Sequence, residues 1–423
     1  MAKVVFFTLP HHGHINPNIG LLEELVKRGE QIICYSSIAY REVIEATGAQ
    51  FGEYKVDVEA FFFKKDIPSH TEEIDENIPA VMAKCFESVE AVFKLGKEIY
   101  LKHYKEIIDI GIDYFMYDSF AMWGMLFAQK LNIPSVCCES SFVMTEEVFN
   151  ASIEYFIAYL MKTKCIDTIT AADKNQAINC LNLNNKRLQR KLGIKNFNLS
   201  GYFYSEYLNI VYLVKDMQPC IDNISDKFAF VGLNGNNSIS TEGTTAKKDE
   251  IPLVFMSRGT IHGKEAIDIF NKSISVLGNM NCNAIISTGS FTDESQFNNL
   301  PSNIKLFNFV NQKQVLKDAS VFITHGGITG VREAISNGVP MIFYPEATDQ
   351  YIAAQQLEKF GAGIWLKNRP FCCDELKYSL EQIINNSKYK KSVDTLKSEL
   401  QGAGGCKKAA DYIDDFKQKL NII

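Results

Sequence analysis

The sequence has no long hydrophobic run. No apolar stretch among its 423 residues approaches the roughly 20 residues that a membrane-spanning helix needs. The apolar residues near the N-terminus are too few for the hydrophobic region of a signal peptide, and a Pro-His-His-Gly-His segment follows them where a cleavage site would stand. We therefore expect a cytoplasmic protein without a membrane span.

An excess of positive charge is also missing. The chain has 44 lysine and arginine residues against 50 aspartate and glutamate residues, which gives a formal net charge of −6. A protein that binds nucleic acid generally carries a basic face or a high pI, so we expect no nucleic-acid partner. Hydrophobic residues make up 46% of the chain and charged residues 22%, a balance typical of a globular protein.

The cysteines form no recognisable framework. There are eleven of them, an odd number, without a single Cys-x-x-Cys motif. Cys137 and Cys138 are adjacent, as are Cys372 and Cys373, and adjacent cysteines rarely form unstrained disulfides with each other. We expect reduced, buried thiols. Because no cluster of cysteine and histidine has the spacing of zinc ligands, we expect no metal site.

The length indicates two domains, since single domains usually stop growing at about 250–300 residues. The segment 234–250 is polar and nearly free of apolar residues, so it is the best linker candidate. We expect an N-terminal domain over 1–233 and a C-terminal domain over 251–405. We expect the helix in 406–423 to pack back on the N-terminal domain.

The first 35 residues predict a strand, a helix and a second strand. Residues 3–8 and 31–35 are apolar runs of strand length. Between them Asn16 can cap a helix at its N-terminus, and Pro17 fits the first turn. Two parallel strands joined by one helix imply a right-handed crossover and an α/β sheet.

The same pattern continues along the chain and restarts after the linker. Further strands are predicted at 114–117, 135–138, 253–257, 284–287, 305–307, 321–324 and 341–344. We expect two similar α/β halves, with ligands bound beyond the carboxyl ends of the strands.

The segment 324–333 follows a predicted strand and opens a helix. Its glycines let the backbone approach an anion, and the N–H groups and dipole at a helix N-terminus favour phosphate. His325 and Thr329 add side-chain donors, and Glu333 can accept hydrogen bonds from ribose hydroxyls. A tight turn that needs small residues explains the glycines equally well, and their spacing matches neither a Walker A motif nor Gly-x-Gly-x-x-Gly.

Two more strand ends carry polar side chains. Asp349 and Gln350 begin a predicted helix, where they can hold sugar hydroxyls. Taken alone, Asp349 is explained more simply as a helix cap. His11, His12 and His14 are three of only seven histidines and follow the first strand.

A histidine in that position is a natural general base, although one or two of the three can simply cap or pack. Asp118 ends a later strand and can orient a histidine, or be a turn residue.

Taken together, these segments resemble the family 1 glycosyltransferases of the GT-B fold, most closely the bacterial macrolide-type enzymes. The resemblance covers nearly the whole chain, and its most specific part runs from His325 to Gln350. The other matching segments are 12–17, Asp118, 230–232, 257–260 and 308–312. The fold that it implies has two Rossmann-like domains that face a central cleft.

The resemblance also implies roles for individual residues. It implies a UDP-sugar donor, held mainly by the C-terminal domain, and His12 as the base that deprotonates the acceptor, with Asp118 as its partner. The donor site that it implies consists of Thr260, Phe309, Val310, Gln312, His325, Gly327, Thr329, Gly330, Glu333, Asp349 and Gln350.

Within that set, Phe309 would stack on the base and Val310 would offer its backbone to the base edge. Gln312 and Glu333 would approach the ribose.

Six other members are assigned to two parts of the donor, the diphosphate and the sugar. His325, Thr260, Thr329 and Gly330 are assigned to the diphosphate. Asp349 and Gln350 are assigned to the sugar hydroxyls.

The implied reaction is a metal-independent, inverting transfer of a sugar, glucose foremost, to a hydroxyl of a small lipophilic acceptor. UDP-sugar is a co-substrate, and no other cofactor is expected. Two alternatives stay open: an epimerase or hydrolase of sugar nucleotides with the same fold, and a non-catalytic protein that binds nucleotide sugars.

The chain departs from the family pattern at four places. Phe309 stands where tryptophan is common, and Asn311 stands where proline is common. Thr329-Gly330 replaces an Asn-Ser pair. Arg258 is unusual between Ser257 and Gly259, and it either adds charge near the diphosphate or lies at the surface.

Overall fold

The computed structural model describes residues 1–63, 77–161, 166–192, 204–232, 251–258, 266–289, 297, 300–346 and 348–422. The chain divides into two compact units. Unit 1 comprises Met1–Asn237 together with Leu400–Ile423, and unit 2 comprises Ser238–Glu399. The chain therefore returns to unit 1 slightly before the predicted residue 406. The predicted linker, 234–250, lies outside the described residues.

Unit 1 is built on a seven-stranded parallel sheet. Its strands are β1 (Lys3–Phe7), β2 (Gln31–Ser36), β3 (Gln50–Glu53), β4 (Tyr114–Asp118), β5 (Ser135–Glu139), β6 (Leu208–Val211) and β7 (Phe228–Phe230). Its helices are α1 (His12–Lys27), α2 (Arg41–Glu45), α3 (Val58–Phe63), α4 (Ile78–Ile110), α5 (Trp123–Leu131), α6 (Glu146–Ala151), α7 (Ile153–Met161) and α8 (Ala171–Leu192). The strand order is β3-β2-β1-β4-β5-β6-β7.

Unit 2 has a six-stranded parallel sheet. Its strands are β8 (Leu253–Ser257), β9 (Asn283–Ser287), β10 (Ile304–Phe307), β11 (Val321–Thr324), β12 (Met341–Phe343) and β13 (Gly363–Trp365). Its helices are α9 (Ala266–Gly278), α10 (Gln312–Asp318), α11 (Ile328–Asn337), α12 (Thr348–Phe360), α13 (Cys373–Asn385) and α14 (Ser387–Gly402), the last of which runs on into unit 1. The strand order is β10-β9-β8-β11-β12-β13. The predicted α/β class with two parallel sheets is confirmed.

Each sheet reverses its winding direction once. In unit 1 the order turns between the neighbours β1 and β4, and in unit 2 it turns between β8 and β11. At such a switch point the loops after the two strands diverge, and a crevice opens outside the carboxyl ends of the strands. The residues that follow β1, β4, β8 and β11 therefore occupy the positions where α/β sheets bind ligands.

Helix α1 begins earlier than the sequence predicts. Its first residue is His12, and His11 is the cap, with Nδ1 accepting a hydrogen bond of 3.2 Å from the backbone N–H of Gly13. The prediction of a start at Asn16 was wrong, because an imidazole nitrogen here does the capping that serine, threonine, asparagine and aspartate usually perform. Pro17 lies inside the helix. His12 and His14 consequently belong to the first helical turn.

The last helix, α15 (Gly405–Lys419), belongs to unit 1. One face of it joins the core beneath α1 through the buried side chains Ala409, Ala410, Ile413 and Phe416. At the surface, Arg28 pairs with Asp411 at 2.9 Å and with Asp414 at 2.7 Å. The C-terminal segment thus stabilises the helix that carries His14.

The described helices include none that is both long enough and apolar enough to cross a membrane. The ten cysteines in the described ranges are free of disulfides, and four of them are buried: Cys34, Cys137, Cys138 and Cys282.

The packing of α15 yields a prediction for stability. Ile413 is fully buried between α15 and the unit 1 core, so Ile413→Ala should lower the free energy of unfolding by roughly 2–5 kcal/mol. Asp415→Ala, on the exposed face of the same helix, should change it by less than about 0.5 kcal/mol. Urea unfolding of both variants measures the difference, and equal stabilities would contradict the packing of α15.

Candidate functional site

A histidine and an aspartate meet at the switch point of unit 1. Asp118, the last residue of β4, is 0% exposed, and its Oδ1 lies 3.0 Å from Nδ1 of His14, whose side chain is 17% exposed. Asp118 Oδ1 also accepts a hydrogen bond of 2.9 Å from the backbone N–H of Phe120. A carboxylate oxygen accepts a hydrogen bond from Nδ1 when that nitrogen carries the ring proton, and Nε2 is then the unprotonated nitrogen of the neutral ring.

This geometry corrects the predicted pairing of His12 with Asp118. On a helix, residues two positions apart point to nearly opposite faces, so only one of His12 and His14 can turn towards β4. The ring of His12 instead contacts Tyr40 edge-on, with 5.3 Å between the ring centroids. His12 lies with Tyr40, Asn16 and Val43 along a surface depression.

Several contacts fix the position of His14. Its backbone carbonyl accepts a hydrogen bond of 2.6 Å from Asn18, which in turn accepts one of 2.6 Å from the hydroxyl of Tyr212. The ring of Phe120 packs edge-on against the imidazole at 4.8 Å, and the hydroxyl of Ser140 lies 3.4 Å from Nδ1. His14 is therefore held by groups from α1, from the end of β4 and from the residues that follow β4, β5 and β6.

His11 is kept neutral. Burial, followed by the neighbouring His14 and His12, lowers its pKa to about 4. A neutral ring is what its capping role needs, because Nδ1 must accept the hydrogen bond from Gly13.

The sequence reasoning missed Glu139. This residue ends β5, beside β4, and is 0% exposed. Burial raises the pKa of its carboxyl group to about 7. The signal that marks it is a lone carboxylate at the end of an apolar strand, in the same kind of position as Asp118 on the neighbouring strand.

In unit 2 the turn between β11 and α11 needs both of its glycines. Gly326 has a φ of +95°, and a Cβ there would come 3.1 Å from the carbonyl oxygen of Gln350. A Cβ at Gly327 would come 2.5 Å from Nε2 of His325. The imidazole of His325 thus lies directly over the start of α11, where no side chain caps the first turn.

Two residues assigned to the ribose lie together. Gln312 Nε2 donates a hydrogen bond of 2.7 Å to Oε2 of Glu333, which joins the first turn of α10 to α11. A Cβ at Gly330 would come 3.3 Å from Gln312 Nε2, so this glycine leaves room for the contact. Asn311 caps α10 by accepting a hydrogen bond of 3.2 Å from the backbone N–H of Gln314.

Phe309 precedes α10 and is 63% exposed, an unusual state for a large apolar side chain. Val310 next to it is half-buried. An exposed aromatic face beside the Gln312–Glu333 contact suits a planar ligand such as a nucleobase.

Arg258 follows β8 at the switch point of unit 2. It is 2% exposed and forms an ion pair with Glu346, which excludes a surface position for it. Its guanidinium also lies 5.5 Å from the ring centroid of Tyr344. Glu346 donates its backbone N–H to Oε1 of Gln350 at 2.8 Å, so the buried ion pair is linked to a residue assigned to the sugar.

The remaining predicted positions are placed as follows. Thr329 is half-buried in the first turn of α11, and Asp349 is half-buried as the second residue of α12. Thr260 lies outside the described residues. Within the described part of the chain, no three side chains of histidine, cysteine, aspartate or glutamate come together as metal ligands.

Comparison with known proteins identifies the family of this chain. The family model described as UDP-glucoronosyl and UDP-glucosyl transferase matches residues 289–401. The chain is 30% identical over 426 aligned residues to the protein named Uncharacterized UDP-glucosyltransferase YojK of Bacillus subtilis, covering 99% of this chain and 98% of that protein. It is 24% identical to NDP-glycosyltransferase YjiC of the same organism, covering 99% of this chain and 98% of that protein.

Among solved structures, that of CalG4, the calicheamicin glycosyltransferase, superimposes with a TM-score of 0.73 at 22% identity. The alignment covers 99% of this chain and 98% of that chain, which supports the two-domain GT-B fold. An identity of 30% over almost the full length of YojK shows the family. The chain belongs to the UDP-glycosyltransferase family.

Proposed function

We propose that this protein moves glucose from UDP-glucose to a hydroxyl of a small lipophilic acceptor, with inversion at the anomeric carbon. We further propose that His14, rather than His12, is the general base. The observation that carries the proposal is the contact of 3.0 Å between His14 Nδ1 and Asp118 Oδ1. Binding alone does not need a buried carboxylate behind an imidazole, whereas proton abstraction does.

The acceptor half of the reaction follows from that contact. Asp118 holds Nδ1–H, so the lone pair of Nε2 is the one available to take the proton of an acceptor hydroxyl. As the proton moves to Nε2, the ring becomes an imidazolium, and the carboxylate of Asp118 stabilises the new positive charge. The freed oxygen is then a strong nucleophile.

In the donor half, one bond forms as another breaks. The acceptor oxygen bonds to the anomeric carbon, and the bond from that carbon to the diphosphate oxygen breaks, with the electron pair leaving on UDP. Negative charge therefore grows on the diphosphate. His325 and the uncapped first turn of α11 provide donors for this charge, a preorganised arrangement that stabilises the transition state and that needs no metal ion.

The nucleoside would lie along α10. The carboxylate of Glu333, oriented by Gln312, accepts hydrogen bonds from the ribose hydroxyls, and Phe309 stacks on the base. The sugar would lie at the start of α12, where Asp349 and Gln350 follow Glu346. The names of YojK and YjiC support a nucleotide-sugar donor, and that of YojK supports UDP-glucose.

Three aromatic side chains between β5 and α8 belong to the core of unit 1. Phe142, Phe149 and Tyr155 are buried within unit 1. The acceptor is to be identified by a screen of small hydroxyl compounds with UDP-glucose as the donor.

The histidine pair provides the decisive test. His14→Ala should lower kcat for sugar transfer by roughly 10²–10⁴-fold, because the general base is lost. His12→Ala, two residues away on the same helix, should retain most of the wild-type rate. UDP affinity, measured by calorimetry, should be unchanged in both variants. Loss of activity in His12→Ala with retention in His14→Ala would contradict the assignment.

The same assay separates a transferase from a hydrolase or epimerase. Consumption of UDP-glucose by the wild-type protein should depend on an added acceptor. Turnover of the donor at the same rate without any acceptor would contradict transfer.

The donor site yields a second prediction. Glu333→Ala should weaken the affinity for UDP by roughly tenfold or more, since a hydrogen bond to a charged group contributes about 1.5–3 kcal/mol. Glu381→Ala removes the same charge from an exposed position on α13 and should leave the affinity unchanged. Calorimetric titration with UDP measures both, and equal affinities would remove Glu333 from the ribose site.

A further inference from the structure

A second buried carboxyl group lies on the strand next to the one that ends at Asp118. Glu139 is the residue directly after Cys138, and Cys138 is in register with Asp118 on the neighbouring parallel strand. Both carboxyl groups are 0% exposed. The two carboxyl groups stand at the ends of adjacent strands, and the carboxyl group of Glu139 interacts electrostatically with both Asp118 and His14.

In the described part of the chain, Glu139 is held by hydrogen bonds and has no ion pair. Its Oε1 accepts a hydrogen bond of 2.7 Å from the backbone N–H of Ser141, and its Oε2 accepts one of 3.3 Å from the hydroxyl of Tyr204. The first of these bonds fixes the turn that carries Ser140, whose hydroxyl lies 3.4 Å from His14 Nδ1. Glu139 is therefore connected to His14 through the backbone as well as through the electric field.

The titratable groups around Glu139 come from three elements. Burial is the largest influence on the pKa of the Glu139 carboxyl group and raises it to about 7. Asp118 on β4 also raises this pKa, and His14 on α1 lowers it. On β5 itself, Cys137 and Cys138 are fully buried, and burial keeps their thiols protonated by raising their pKa values.

We propose that Glu139 is a positioning residue of the His14–Asp118 pair, and that its negative charge raises the proton affinity of His14. This inference rests on the proposed function only in that His14 is the base. When His14 takes the acceptor's proton, a positive charge forms beside Asp118 and Glu139. An ionised Glu139 stabilises this charge, whereas a neutral Glu139 does not.

The variant Glu139→Gln keeps the shape and can accept the hydrogen bond from Ser141, but it cannot ionise. It should lower the pKa of His14 by roughly one unit, since a nearby opposite charge is lost. Histidine NMR of the full-length protein measures this in the absence of any substrate. The resonance of His14 is identified by its loss in His14→Gln, and it is titrated in the wild type and in Glu139→Gln.

The matched control is Glu147→Gln, which makes the same change at an exposed position on α6. It should leave the titration of His14 at the wild-type midpoint. An unchanged midpoint in Glu139→Gln, or an equal shift in the control, would overturn the role of Glu139.

The pH profile of sugar transfer separates this inference from the proposed function. If His14 is the base, the acid limb of kcat/KM should move to lower pH in Glu139→Gln by the same amount as the NMR midpoint. The plateau rate should fall by roughly three- to tenfold, because a weaker base removes the proton more slowly. A shifted NMR midpoint with an unshifted profile would support the role of Glu139 and contradict His14 as the base.

A second variant covers the case in which Glu139→Gln does not fold, as judged by circular dichroism. Tyr204→Phe keeps the aromatic ring at position 204 and leaves the carboxyl group of Glu139 in the protein. It removes the hydroxyl that donates to Glu139 Oε2. Loss of this donor disfavours the ionised form of Glu139, so the midpoint of His14 should fall, by less than in Glu139→Gln. An unchanged midpoint in this variant would also overturn the proposal.

Discussion

The contact between His14 and Asp118 joins two elements that the sequence separates by about a hundred residues, and the proposed chemistry depends on it. Asp118 is fixed because it ends a central strand and accepts a backbone N–H from Phe120. His14 is fixed because α1 begins at His12, under the cap provided by His11. His12 and His14 both lie in the first turn of α1 and point to nearly opposite faces of it, so only one of them can meet the carboxylate.

The donor half depends on a comparable constraint in unit 2. There the chain turns from β11 into α11 within a few residues, and the turn is possible because Gly326 adopts a positive φ and Gly327 leaves room for the ring of His325. In both units the functional side chains follow strands at the point where the sheet reverses direction. One topological rule therefore accounts for the position of the proposed base in unit 1 and of His325, the proposed diphosphate contact, in unit 2.

Much of this arrangement can be predicted from the sequence, for identifiable reasons. Strands buried on both faces of a parallel sheet are continuous apolar runs, so β1, β8 and β11 are visible without a structure. The glycine turn and the residues around α11 stand out because small and polar residues follow such a run. The start of α1 could not be predicted, because histidine is not among the usual capping residues.

The choice between His12 and His14 could not be predicted either, because it depends on which face of α1 lies towards β4. In the sequence, Glu139 is marked only as a lone carboxylate at the end of an apolar strand, and its burial is known from the structure. The ion pair of Arg258 with Glu346 likewise joins residues from two distant turns, and only the folded sheet brings them together.

The most direct measurement of the central claim is the tautomer of His14, read from the nitrogen-15 shifts of its ring in the protein without substrate. If Asp118 accepts from Nδ1, then Nδ1 carries the proton and Nε2 shows the shift of an unprotonated nitrogen. That result leaves a lone pair available for the acceptor hydroxyl. The opposite tautomer, with the proton on Nε2 at the pH of activity, would contradict the account of His14 as the base.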